Sequence, residues 1–158
     1  MSKIFNLDLF NAQKFEQFDN PTDSQLDECI VYGQLDDLTV SVKDGIVLET
    51  KSCGFIDAIL SDLEEPFLEE DDANRSLLIK ILNNLSENSG RLVNKFGQKD
   101  PFFYGYLTYN ELQDLIKILT NFPGDPDREW IVEFKNTLLL IAERAVQKNL
   151  GLIYWALP

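Results

Sequence analysis

The sequence predicts a helix-rich α+β domain with a small, mainly antiparallel sheet. Three observations lead there: apolar residues recur at helical spacing through most of the second half, two β-rich runs flank a turn at Lys43-Asp44-Gly45, and an apolar, β-rich run closes the chain. With 158 residues, 44% of them hydrophobic, there is material for one core, so a single domain over residues 1–158 is expected.

The clearest strands are 38–42 and 46–50, read as a hairpin spanning 38–50. A two-residue turn at Asp44-Gly45 would place Val40 opposite Glu49 and mix polar with apolar groups on both faces. A three-residue loop with Gly45 in the left-handed conformation instead pairs Val42 with Ile46 and Val40 with Leu48. That register leaves Thr39, Ser41, Val47 and Glu49 on the other face, as suits a hairpin covered on one side.

Helices follow. Phe55, Ile56, Ile59, Leu60 and Leu63 define one stripe; Leu77, Leu78, Ile81, Leu82 and Leu85 define the next, with Asp72 as its cap and Gly90 as its stop. Thr108 and Glu111 have the spacing of a capping box, and Leu107 and Leu112 stand where a hydrophobic staple closes. Leu112, Leu115, Ile116 and Leu119 form the stripe of that helix, which ends at Pro123-Gly124. Asp125 then caps a long helix with Pro126 at its first position and Asp127 and Glu129 near its positive end. Trp130, Phe134, Leu138, Ile141 and Ala145 lie on one line of it and Ile131, Leu139, Ala142 and Val146 beside them, a stripe broad enough for a central pillar. After a turn at Gly151, residues 152–157 read as a buried strand.

Between the helices, Phe102, Phe103, Tyr104 and Tyr106 crowd into a segment read as a loop after Asp100-Pro101. Aromatic rings of this size plug gaps in a core. The alternative is a binding hot spot in which Tyr104 and Tyr106 anchor in a partner's pocket.

Composition excludes much chemistry. The absence of histidine removes the usual general base, the Ser/His/Asp and Cys/His arrangements and the commonest ligand of zinc. Cys29 and Cys53 lack the spacing of a redox pair and any basic neighbour to activate them, so both are read as free thiols in a reducing compartment. The eight glycines never form GxGxxG or GxxxxGK[ST]. No cofactor is implied. The first residues, MSKIFNLDLFNAQKFEQF, hold no secretory apolar core, and no later run approaches the roughly 20 residues of a membrane helix; a cytoplasmic location is expected.

Charge is uneven. Residues 1–72 carry 18 acids and 4 bases, a balance of 14 negative charges, while 73–158 carry 9 acids and 10 bases, one positive. Such a field repels nucleic-acid phosphate and anionic membrane and attracts basic proteins. The most biased stretch, 61–72, reads SDLEEPFLEEDD and places Glu64, Glu65, Glu69, Glu70, Asp71 and Asp72 together. It lacks the glycine and ligand alternation of an EF-hand. It reads either as a solvated connection or as a docking site for lysine and arginine.

The segment YLTYNELQDLIKIL, followed by EWIVEFKNTLLLIAERAVQKNLGLIYWAL, resembles the C-terminal half of the YfbM-like bacterial proteins. In those a capped helix, a helix with an aromatic-rich start and a closing apolar strand succeed one another. The resemblance covers the last third of the chain, rests on hydrophobic pattern, and implies a small bacterial α+β protein with no catalytic residues to carry over.

The function that fits is a binding protein rather than an enzyme, most concretely an immunity or inhibitor protein whose acidic half caps a basic toxin such as a nuclease. Two alternatives are a hydrolase using magnesium held among Glu64, Glu65 and Glu69 to Asp72, and a structural subunit that oligomerises through its aromatic segment and final strand.

Overall fold

In a computed structural model, residues 4–31, 40–43, 55–63, 72–96, 101–121 and 129–157 are described. The elements run β1 (Ile4–Phe10), α1 (Ala12–Glu16), α2 (Asp23–Cys29), β2 (Ile30–Val31), β3 (Val40–Lys43), α3 (Phe55–Leu63), α4 (Asp72–Asn83), β4 (Phe102–Leu107), α5 (Tyr109–Asn121), α6 (Glu129–Gln147) and β5 (Gly151–Leu157). The fold is α+β with an antiparallel sheet, as expected.

The two central strands come from opposite ends of the sequence. β1 and β5 pair over their whole lengths, from Ile4 opposite Leu157 to Phe10 opposite Gly151. β4 flanks β5, and the far side of β1 is shared by β2 at Leu9 and Phe10 and by β3 at Ile4 to Leu7. The strand at 152–157 is therefore confirmed, starting one residue earlier, as an interior strand buried from Gly151 to Ala156.

β1 was not anticipated. Its residues alternate Phe5, Leu7, Leu9 against Asn6, Asp8, Phe10, and every one of these six is buried. Phe5, Leu7 and Leu9 join Leu152, Tyr154 and Ala156 in the larger core, covered by α3 to α6. On the opposite face Phe10, Ile153, Trp155 and Tyr106 pack with Ala12 and Phe15 of α1 and Leu26 and Cys29 of α2. Helices thus cover both sides of the sheet.

Several local readings change. Phe102 to Leu107 is a strand, not a loop, and Tyr104 and Tyr106 are only 7% and 8% exposed. The register slips between Phe103 and Gly105, so Tyr104 is an extra residue relative to β5. That bulge sends Tyr104 to the larger core, where it packs with Tyr154 (5.5 Å between centroids), and sends Tyr106 to the smaller one. α4 stops at Asn83 rather than near Gly90, with Asp72 as its first helical residue; Leu78, Ile81 and Leu82 are buried, Leu85 is buried beyond the helix, and Leu77 is exposed. In α5 the buried stripe is Leu112, Leu115, Ile118 and Leu119, with Ile116 at its margin. α6 buries Leu138, Ile141, Ala142 and Ala145 against the sheet and α5. Of the hairpin, Val40 to Lys43 is observed and pairs with β1, whereas 38–39 and the whole of 46–50 lie outside the described residues, as do Asp125 and Pro126.

Candidate functional site

Two arrangements of polar residues stand out. The first is inside the fold. The turn after α4 presents Glu87, whose Oε1 accepts hydrogen bonds from the Ile56 amide (3.2 Å) and the Tyr154 phenol (2.6 Å), while Oε2 accepts from the Asp57 amide (3.0 Å). Glu87 thereby satisfies two of the orphan donors in the first turn of α3. Asp57 itself accepts from Ser86 and, at 2.6 Å, from Asn88. Burial, with the Asp57 charge adding to it, lifts the Glu87 carboxyl to about 7 although the tyrosine bond holds it down. The same carboxylates, after burial, push the Tyr104 phenol up to about 12. A carboxyl that titrates near neutrality is chemically able to exchange protons, but here its oxygens are spent on fastening α3 to β5.

A companion turn closes the outer edge of the sheet. The Leu92 amide donates to the Tyr104 carbonyl at 2.9 Å, and the Arg91 guanidinium donates to the Tyr106 carbonyl at 3.2 Å, so the β4 edge offers these acceptors to its own chain. Arg91 also grips both oxygens of Glu111, with Nη2 2.7 Å from Oε2. Glu111 completes the expected capping box: the Thr108 amide donates to its Oε1 at 2.9 Å and Thr108 Oγ1 accepts from its amide at 3.3 Å. Burial acts to raise the Glu111 carboxyl, but Arg91 and Thr108 outweigh it and hold it below the ordinary carboxylate range.

The second arrangement faces solvent. A cleft of about 690 Å³ opens between α1, the start of α5 and the turn before β5. Gln13, Glu16 and Gln17 line one wall, Tyr109 and Asn110 another, and Asn149, at a φ of 58°, the third. Glu16 on α1, Asp19 in the bend that follows, and Asp23, Asp27 and Glu28 on α2 are all exposed, and Glu16 lines the cleft. The base among them, Lys14, lies 3.8 Å from Glu28. Both short helices are firmly set. Asn11 caps α1 through the Lys14 amide, Thr22 and Gln25 form a reciprocal capping box on α2, and Phe15, Leu26 and Cys29 anchor the pair under the sheet.

The residues singled out from sequence fare unevenly. Glu64, Glu65, Glu69, Glu70 and Asp71 lie outside the described residues, and Asp72 opens α4. Tyr104 and Tyr106 are core residues, because a strand with helices on both faces buries alternate side chains in either direction; they are not exposed anchors. Cys29 is a free, buried thiol, pushed up by burial, with Lys14 opposing and Glu28 reinforcing the shift. Cys53 lies outside the described residues. Among the described residues no three acids or cysteines converge to hold a metal ion, and no helix is long and apolar enough to cross a membrane. Glu87, Asp57 and the cleft were not foreseen. The α1–α2 acids were visible only as part of the acidic half, and the Thr22–Gln25 spacing was the signal that could have placed them on a helix.

The chain matches no known protein family, no curated protein and no solved structure.

Proposed function

We propose that this chain is a binding protein that neutralises a basic protein partner, most concretely an immunity or inhibitor protein for a toxin such as a nuclease. The observation that carries the reading is the seating of four exposed acids, Glu16, Asp23, Asp27 and Glu28, on the anchored helices α1 and α2, with Asp19 exposed in the bend between them. Carboxylates fixed on capped, anchored helices lose little freedom on binding and present a lasting negative field, which speeds encounter with a basic surface and occupies the places where substrate phosphates would lie. The acidic run through Glu64 to Asp72 extends the same charge, in keeping with the 14 negative charges of residues 1–72. The reading goes with a place among the small bacterial YfbM-like proteins and with work in the cytoplasm.

The test is affinity capture from native lysate with the immobilised chain, washed at low and then high salt. Salt near 1 M shortens the screening length to about 3 Å, so a charge-steered partner is recovered at low salt and released at high salt. Replacing Asp23 and Asp27 together with lysine removes the capture. Recovery of no basic protein at low salt overturns the proposal.

A further inference from the structure

We infer that the cleft between α1 and the start of α5 seats an arginine or lysine side chain presented on an exposed segment of the partner, with Glu16 as its counter-ion. This inference rests on the basic-partner reading above and specifies where that partner is held.

The lining decides the class of occupant. It contains no lysine or arginine and one carboxylate, Glu16, so anionic ligands such as phosphates find no countercharge there. Carboxamides dominate the rest: Gln13 and Gln17 from α1, Asn110 from α5 and Asn149 from the turn before β5. A purely apolar occupant would desolvate these amides and return no hydrogen bonds. A peptide segment matches them, because each carboxamide both donates and accepts, as main-chain amide and carbonyl groups require. The Tyr109 phenol oxygen accepts from Gln113 Nε2 at 3.1 Å, which leaves its own hydrogen available to donate. Of the first-turn amides of α5, that of Glu111 is taken by Thr108 Oγ1, while those of Tyr109 and Asn110 have no acceptor within the helix and suit an incoming carbonyl.

Size and surroundings agree with one occupant. A volume of about 690 Å³ is that of a site for one side chain with its flanking main chain. Asp19, Asp23 and Asp27, exposed along the same α1–α2 segment of the chain, add to the negative field that draws a basic segment to this part of the molecule. The floor of the cleft is fixed by the fold: a Cβ on Gly151 would fall 2.0 Å from the Leu107 carbonyl and 3.4 Å from the Ala12 Cβ, so the start of β5 meets β4 and α1 in close contact there.

The test is a heteronuclear NMR titration of the full chain with two blocked tripeptides, N-acetyl-Gly-Arg-Gly-amide and its citrulline counterpart, which keeps the shape and loses the charge. The arginine peptide is expected to shift the amide signals of Gln13, Glu16, Gln17, Asn110 and Asn149. The citrulline peptide, and the arginine peptide on Glu16→Gln, are expected to bind about threefold more weakly, the range of one partly exposed ion pair. Asn110→Trp, at an exposed position that leaves the core alone, should fill the mouth and abolish the shifts. Shifts centred on Asp23 and Asp27 instead, equal binding by both peptides, insensitivity to Glu16→Gln, or no shift at all would overturn the cleft as the seat. None of those results touches the salt-dependent capture by α1 and α2, so the two readings fail separately.

Discussion

Tyr154, 1% exposed in the central strand β5, donates its phenol to Glu87 Oε1 at 2.6 Å and so joins the middle of the sheet to the turn that caps α3. The two residues are 67 positions apart, so the link forms only in the folded chain. Tyr154→Phe keeps the ring in its stack with Phe5 and Tyr104 and removes only the donor. The expected cost is about 1–3 kcal/mol by urea denaturation, the range for leaving a buried acceptor short of a partner. Because the phenol bond holds the Glu87 carboxyl down, an NMR titration should also find that carboxyl higher in the variant.

Glu87 should make stability depend on pH with a definite sign. Its folded carboxyl titrates at about 7 against an ordinary value of 4.5, so between those values the folded state holds more proton than the unfolded one. The contribution is complete below the ordinary value and is lost as pH rises through the folded one. Other carboxylates add their own slopes, which cancel on comparison with Glu87→Gln. Thermal melts at pH near 5 and near 8 should show the stability of the parent, relative to Glu87→Gln, declining toward the higher pH. A flat or rising difference contradicts the assignment.

Close backbone contact at the β4 edge predicts intolerance of the smallest side chain. A Cβ on Gly105 would meet the Asn84 carbonyl at 1.9 Å, and one on Gly90 would meet the Tyr104 carbonyl at 2.2 Å. Both obstacles are backbone and cannot swing aside. Gly105→Ala and Gly90→Ala should each destabilise by about 1–3 kcal/mol, the usual cost of overpacking, measured as a lower urea midpoint. Neither glycine has a left-handed φ, so the loss comes from the lack of space.

Arg91 is expected to matter through geometry more than through charge. It meets both oxygens of Glu111, donates to the Tyr106 carbonyl, and lies 5.0 Å from the centroid of the Tyr106 ring. Arg91→Ala should cost about 1.5–3 kcal/mol, as for hydrogen bonds to charged groups. Arg91→Lys should recover little of it, because an ammonium cannot present the parallel pair of donors. Glu111, held below the ordinary carboxylate range, contributes stability that is present above that range and lost as pH falls through it; in Arg91→Ala this acid-side loss should shrink.

The capping box at Thr108 and Glu111 was legible because all its atoms lie within four residues, and the two side chains answer the same amides in any fold that starts a helix there. The 152–157 strand was legible as an apolar run. β1 was not, since Asn6 and Asp8 interrupt its apolar pattern and mimic a solvent face. Both are buried, and Asp8 Oδ2 accepts the Trp155 indole at 2.6 Å, a partner 147 positions away. The aromatic segment misled for a related reason: the bulge at Tyr104 breaks the alternation that marks a strand.

By itself the sequence determined the net charge of −13, the absence of imidazole, the crowding of acids into residues 1–72 and the start of α5 at its capping box, all of which follow from composition or from contacts within a turn or two. Tertiary structure alone decided which acids act as fastenings and which face outward: half-buried Glu87 ties α3 to β5 with Asp57 of α3 beside it, while Glu16 to Glu28 stand in solvent, Glu16 lining a cleft built from three distant segments. The physical reason is that a carboxyl's solvation and proton affinity depend on what surrounds it in space, and those surroundings are assembled only when strands from the two ends of the chain pair at the centre of the sheet.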